Sequence, residues 1–518
     1  MGSPERQRPT FRAGAASLII DPPLGLPMSG VVLRDEVARE RNGSLEVSAA
    51  VFESGAARVV LCGVDTLAIQ SPEVDDLRRD VARATGADPA AVLLNWNHTH
   101  HAPPGSRSVY GSFGESVTEP DDLTIAYVEY LHARIVEVCR LACERLEPAV
   151  VRWGLGHADE SINRRERGPD GMVVFGWNPD GFVDQSVPVL QSLRQDGTAI
   201  ATVVAYGCHT VTTGLGFIGY SPDYPGPLRD MVRSVTNGEC VFFQAAGGNI
   251  MPRVAFDESG ESMEQLGRRL AVEALHAVAA RQGWPAELEE TRFRSGTEAR
   301  IFRWRPVDAE PPQLDAREAR VDFPLLPLPT PEEITAMRVQ AEAEIQTAEA
   351  RGASESELRI LRFHGLNWVR RTEAEILSGS PRRSAGGSIH AIRIGDGAIV
   401  TGPGEIFTEI GLAVKERSPA DVTLYAGYTN GCISYFPTAQ EYPFGGYEPS
   451  YGNKTYGLPA QVTPEAERIL IETGVDLVCS LFPERKAPDV PGWLATGQLP
   501  SPPLPQTLDR PRSSVDAA

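Results

Sequence analysis

The sequence predicts an α/β protein built from layered mixed sheets and helices, on two observations. Short apolar runs such as "ARVVLCGV", "AVLLNW", "AIATVVAY" and "CVFFQ" recur along the chain. Between them lie amphipathic stretches long enough for helices, an alternation that implies a layered α/β architecture. A chain of 518 residues is long enough for one large elaborated domain. We read residues 10–482 as that domain.

The first elements set the pattern. "SLEVSAAVFES" and "ARVVLCGVDTLAI" read as two strands joined by a turn at Ser54-Gly55, and "AVLLNWNHTHH" as a third strand that ends at histidines. The intervening "SPEVDDLRRDVARATG" reads as a helix with Ser71 as N-cap, Pro72 at the first position and Gly86 at its end. A long helix is predicted around "LTIAYVEYLHARIVEVCRLACERL", after a Gly- and Ser-rich loop at 105–119 that is placed to wall a pocket. Further strands are predicted at "AVVRWGLG", "VPVLQSLRQ", "AIATVVAYG" and "CVFFQAAGG", with helices at "GPLRDMVRSV" and "SMEQLGRRLAVEALHAVAAR". Residues 308–380 differ in character, with two charged helical stretches read as a helical insertion or lid. "SIHAIRIGDGAIVTGPGEIF" then returns to strand, turn and strand. Residues 483–518 are Pro-rich and polar, which predicts a disordered tail.

Composition narrows the function. The formal charge of -20 argues against nucleic acid as a partner, because phosphate binding needs clustered Lys and Arg. The N-terminus shows no apolar signal-like segment, and no apolar run approaches the ~18 residues of a membrane span. These features predict a cytoplasmic protein without a transmembrane segment, acting on a small-molecule substrate, with self-association left open. Seven thinly spread cysteines do not form a disulfide framework, so a bound metal must be held by oxygen and nitrogen ligands.

The chemistry begins at "NHTHHAPPG", where three of the nine histidines fall within residues 98–101. Side-chain alternation at the end of a strand predicts that His98 and His100 share a face. "AYGCHTVTTG" delivers His209 after another apolar strand, and "TGPGEIFTEIG" places Glu405 after a tight glycine turn. Two imidazoles and a carboxylate with an open position are a common catalytic zinc constellation. Capping and polar-loop roles remain open for each residue taken alone.

These residues resemble the neutral/alkaline non-lysosomal ceramidases. "HTHHAPPG" is similar to that family's His-Thr-His-Ser-Gly-Pro-Gly motif, with His101 and Ala102 in place of Ser-Gly. "SINRRERG" matches a family Asn-Arg element, His209 a family histidine, and Pro403-Gly404-Glu405 a Pro-Gly-Glu turn. "SYFPTAQEYPFGGYEPSYG" resembles the order of a family tyrosine segment from Tyr435 to Tyr447-Glu448, with Thr438-Ala439 where the family has two threonines.

The resemblance implies a zinc ion held by His98, His209, Glu405 and Tyr435, with His100 as proton shuttle. It also implies that Arg164 and Tyr447 meet the polar head of a substrate. The implied reaction is hydrolysis of an N-acyl amide bond. "AAGGNIMPR" departs from the family: Met251 stands where a serine is expected, and Arg253 where an asparagine is. A thioether cannot act as that nucleophile, and Arg253 suits an anionic substrate. The family's secreted members carry a signal peptide and a β-sandwich after the catalytic domain, whereas this chain shows no signal and only about sixty residues beyond Tyr456, so we expect a soluble, non-ceramide substrate. An ester or lactone hydrolase, or a non-catalytic binding homologue, stays open.

Overall fold

The computed structural model describes residues 11–34, 36–107, 121–279, 286–294, 300–306 and 310–493. Three larger sheets organise these residues, and each contains one parallel strand pair. In the first sheet Val92–Trp96 pairs parallel with Ala57–Val64, followed by Glu46–Ser54, Phe11–Ile19 and the short Glu147–Pro148. The second runs Glu239–Gln244, Ala199–Tyr206, Ser186–Leu193 and Val150–His157, with its first two strands parallel. The third runs Leu314–Pro324, Ser384–Ile394, Gly397–Thr401 and Thr423–Ala426, with its last two parallel.

One face of every sheet contributes to a shared core. Phe52, Leu61 and Leu93 from the first meet Leu190, Val203 and Phe243 from the second, and Ile392, Ile399 and Leu424 from the third. The opposite faces are covered by helices: Glu73–Thr85 and Asp122–Glu144 on the first sheet, Pro225–Thr236 and Glu261–Ala279 on the second, Thr408–Glu416 and Glu465–Ser480 on the third. This explains the sequence pattern. Strands covered on both sides read as continuous apolar runs rather than alternating ones, and truncating a leucine in such a core typically costs ~2–5 kcal/mol.

Local signals account for some helix ends. Helix Glu73–Thr85 buries Val74, Leu77, Val81 and Ala82 at helical spacing and stops at Gly86, whose φ of 71° permits the left-handed cap. Ser71 is not its cap: Pro72 takes that position without a side-chain cap bond. Asp121 caps helix Asp122–Glu144 by accepting from the Thr124 amide.

Two stretches are less uniform than their composition implies. Within 308–380, Leu314–Pro324 is a strand of the third sheet, and the helices lie at Pro331–Ala350, Glu355–Ile360 and Trp368–Leu377. Beyond residue 482, Arg485 pairs with Asp396 and Asp421, and Trp493 donates its indole hydrogen to Glu416. The rest of the predicted tail, and residues 108–119 of the predicted pocket loop, lie outside the described residues. Among the described residues, no helix is long and apolar enough to cross a membrane.

Candidate metal centre

The carboxyl ends of the three parallel strand pairs point to one place. Val92–Trp96 leads to His98, Ala199–Tyr206 to His209, Gly397–Thr401 to Glu405, and Thr423–Ala426 to Tyr428. Such strand ends leave loop backbone and side chains free to build a site. Asn95 joins them. Its Nδ2 donates to the carbonyls of Gln244 (3.1 Å) and Gly427 (2.8 Å) and to Thr429 Oγ1 (2.9 Å), and its Oδ1 accepts from the Gln244 amide at 2.7 Å. One buried amide therefore ties together the ends of all three sheets.

His98 and His209 face Glu405 from different sheets. His209 Nε2 lies 3.0 Å and His98 Nε2 3.5 Å from the same oxygen, Glu405 Oε2. Each Nδ1 is committed to backbone carbonyls, His98 to Leu67 at 2.9 Å and His209 to Gly247 and Ile250 at 2.8 and 3.0 Å. A carbonyl only accepts, so both Nδ1 atoms carry hydrogen, and a neutral ring then presents a lone pair at Nε2.

Burial, with Arg164 nearby, lowers the His209 pKa to about 4. Burial alone would raise Glu405, and positive charge at the His98 and His209 rings beside it would pull it well below the usual carboxylate range. At neutral pH a lone pair on His209 thus faces a carboxylate oxygen across 3.0 Å. Two acceptors at that distance repel unless a cation lies within reach of both. The donor set of imidazole nitrogen and carboxylate oxygen suits zinc, and the carbonyl bonds at Nδ1 are the outer partners such ligands use.

His98 has a left-handed backbone, φ 65°, which is uncommon for a residue with a Cβ. Strand alternation ends at Trp96, so the shared face of His98 and His100 does not arise from period 2. The two rings nevertheless meet, with centroids 5.0 Å apart, and His100, His98 and His209 each offer a ligand atom within 4.8 Å of the others. Burial, followed by the neighbouring imidazoles, pushes His100 well below its ordinary pKa. Its Nε2 and that of His209 are buried without a hydrogen-bond partner. Gly30, at φ 94°, packs against this ring; a Cβ there would fall 2.7 Å from it.

The tyrosine segment forms the adjacent wall. Tyr435 pairs with Glu405 in a short parallel ladder, and its hydroxyl accepts from Arg164 Nη2 at 3.3 Å. Arg164 is buried, bonded to Glu448 Oε1 at 2.8 Å and to the Gly248 carbonyl at 2.7 Å. Glu448 receives Arg165 as well, at 2.5 Å, and Arg165 also pairs with Glu441 at 2.7 Å. The Tyr447 ring meets Tyr435 edge-on at 5.5 Å, its hydroxyl pairs with Thr455 at 3.1 Å, and burial raises its pKa to about 12.

Two solved structures share this architecture. Neutral ceramidase from Pseudomonas aeruginosa matches with a TM-score of 0.61 and 18% identity, over 93% of this chain and 77% of that one. A structure titled "Ceramidase complexed with C2" matches with a TM-score of 0.63 and 17% identity, over 93% and 78%. The chain has a neutral ceramidase-like fold. No protein-family model and no curated protein matches the sequence.

Within this ceramidase-like fold, the residues predicted from sequence do not all converge. His98, His100, His209, Glu405 and Tyr435 form one connected group, bordered by Arg164 and Tyr447. Arg253 is paired with Asp159, through its Nη2 to the carboxylate and its Nε to the backbone carbonyl. Met251 packs with Ile162 and Val211 in a small apolar cluster.

Two tyrosines that sequence reading missed touch the centre. Tyr456 donates to Glu405 Oε1 at 2.5 Å, and the Tyr428 hydroxyl lies 3.4 Å from Oε2 with its ring 4.6 Å from His98. The only local signal for Tyr428 is its neighbourhood, "GYTNG", where Tyr428 and Asn430 both adopt positive φ.

Proposed function

We propose that this chain is a zinc-dependent hydrolase of N-acyl amide bonds, acting on a soluble substrate other than ceramide. The observation that carries the proposal is His209 Nε2 held 3.0 Å from Glu405 Oε2, with His98 Nε2 3.5 Å from the same oxygen and both Nδ1 atoms committed to backbone carbonyls. His98, His209 and Glu405 would hold the ion, with Tyr435 as the fourth group. Burial and the Glu405 carboxylate raise the Tyr435 pKa well above its ordinary value, and the Arg164 guanidinium at 3.3 Å opposes them. Zinc, when bound, supplies a Lewis acid that polarises a carbonyl and activates water.

The chain's own groups do the rest. Tyr456 and Tyr428 fix the orientation of the Glu405 carboxylate. His100, kept neutral by burial and with Nε2 unpartnered, takes a proton from the attacking water and passes it to the leaving nitrogen. Arg164 and Tyr447 border the position of the substrate's polar head. Arg253, committed to Asp159, is left out of this scheme.

Met251 supports a second reading. Its side chain is packed in an apolar cluster and supplies no nucleophile, so the proposed hydrolysis uses water directly. Water activated in this way also cleaves esters and lactones, and a homologue that binds without turnover would carry the same centre. A panel of N-acyl amides, from short polar acyl groups to ceramides, run beside matched esters and lactones, tests the proposal. Amide turnover that ceramide does not share is the expected result. Ester-only turnover overturns the amide assignment, and binding without turnover in any class overturns the enzyme.

A further inference from the structure

The two histidines sit on loops from different sheets, and a buried hydrogen bond joins those loops one residue away from each ring. Thr210, next to His209, donates its hydroxyl to the carbonyl of Asn97, next to His98, at 2.9 Å. Asn97 is itself held on three sides. Its Nδ2 donates to Asp65 Oδ1 at 2.7 Å and to the Pro222 carbonyl at 3.2 Å, and its Oδ1 accepts from the Thr99 amide at 3.0 Å. Asp65 is anchored by both terminal nitrogens of Arg229, at 2.7 and 2.6 Å, and by the Glu46 amide at 2.9 Å. Asp65, Asn97 and Thr210 are each no more than 1% exposed.

This chain of bonds sits beside a left-handed backbone turn. Immediately after Asn97 the chain turns into the left-handed conformation at His98, held by the His98 amide bond to the Thr66 carbonyl at 3.1 Å and the Asn97 amide bond to Val64 at 3.0 Å. Those bonds fix His98 relative to its own sheet. The bond that fixes it directly to the loop carrying His209 is the one from Thr210. A buried hydroxyl that spans two ligand-bearing loops sets the separation between their nitrogens, and misplacement of such outer partners weakens metal binding by ~10–100-fold.

We infer that Asn97 and Thr210, anchored on the Asp65–Arg229 pair, are positioning residues that latch His98 to His209. The inference rests on the metal-dependent reading above and assigns no contact with substrate. Replacement of Thr210 by Val removes the hydroxyl at constant shape, whereas Ser keeps it. Zinc affinity of the full chain, measured by chelator competition, should fall about tenfold or more in Thr210→Val and stay near wild type in Thr210→Ser. Thermal unfolding of the metal-free chains checks that each variant is folded, and Thr210→Ala replaces Val if Val is not. Equal affinity in Val and wild type, or equal loss in Val and Ser, overturns the latch.

If the wild type takes up no zinc, the metal reading fails by itself. The latch is then judged on the metal-free chain by the imidazole 15N resonances of His98 and His209. Resonances that move in Val but not in Ser support it, and resonances unmoved in both overturn it.

Discussion

His209 Nε2 and Glu405 Oε2 stand 3.0 Å apart, the first on a loop that leaves the second sheet and the second in the short ladder that follows strand Gly397–Thr401 of the third. Neither local sequence contains this relationship. It exists because three sheets share one core and send the ends of their parallel pairs to a common point.

That convergence depends on Asn95. Replacement by Ala leaves the Gln244 amide and carbonyl without the Asn95 side chain, whereas the Gly427 carbonyl keeps the Thr429 hydroxyl at 2.7 Å. Each buried group left unsatisfied costs about 1–3 kcal/mol, so the loss should be on the order of 3 kcal/mol or more. Urea denaturation of Asn95→Ala against wild type measures it.

Glu448 and Arg253 should behave oppositely although both belong to ion pairs. Glu448→Ala leaves buried Arg164 without a carboxylate partner, while Arg165 keeps Glu441, and should destabilise the chain by ~3–5 kcal/mol. Arg253→Ala removes a partly exposed pair with Asp159 and should cost no more than ~1 kcal/mol. Chemical denaturation of the two variants under one set of conditions compares them directly.

His390 should make the fold acid-sensitive in a definite window. It is buried between the Ala90 carbonyl, which accepts from Nδ1 at 3.2 Å, and Asn430 Nδ2 at 3.1 Å, and burial lowers its pKa to about 4. An unfolded histidine takes its proton near pH 6.5, well above the folded one. The unfolded state therefore binds more protons between about pH 6.5 and 4, and stability falls as pH falls through that range. His390→Leu should flatten the slope of melting temperature against pH there while lowering the melting temperature at pH 7 through the lost hydrogen bonds. An unchanged slope would show that His390 does not set it.

The parts of this molecule that were legible from sequence are those with local causes. Apolar runs announce doubly covered strands, and Gly86 announces the end of a helix through its left-handed φ. Strand Phe11–Ile19 was missed, since its residues "FRAGAASLI" are small and mixed and gain their place only by pairing with Glu46–Ser54. The meeting of His98 and His100 was expected from strand alternation, yet it follows from a left-handed turn that no local pattern predicted. Tyr428, Tyr456, Asp65 and Asn97 act through contacts across tens to hundreds of residues, where sequence spacing carries no signal. Arg253 shows the converse: its charge was visible, but its partner Asp159 was not.

Metal content of the purified full chain, after equilibration with zinc at neutral pH and removal of free ion, tests the central claim most directly. The account predicts close to one equivalent per chain in the wild type and a clear loss in His98→Ala, His209→Ala and Glu405→Gln. A folded wild type holding less than about half an equivalent, or the three variants holding as much zinc as wild type, would contradict it.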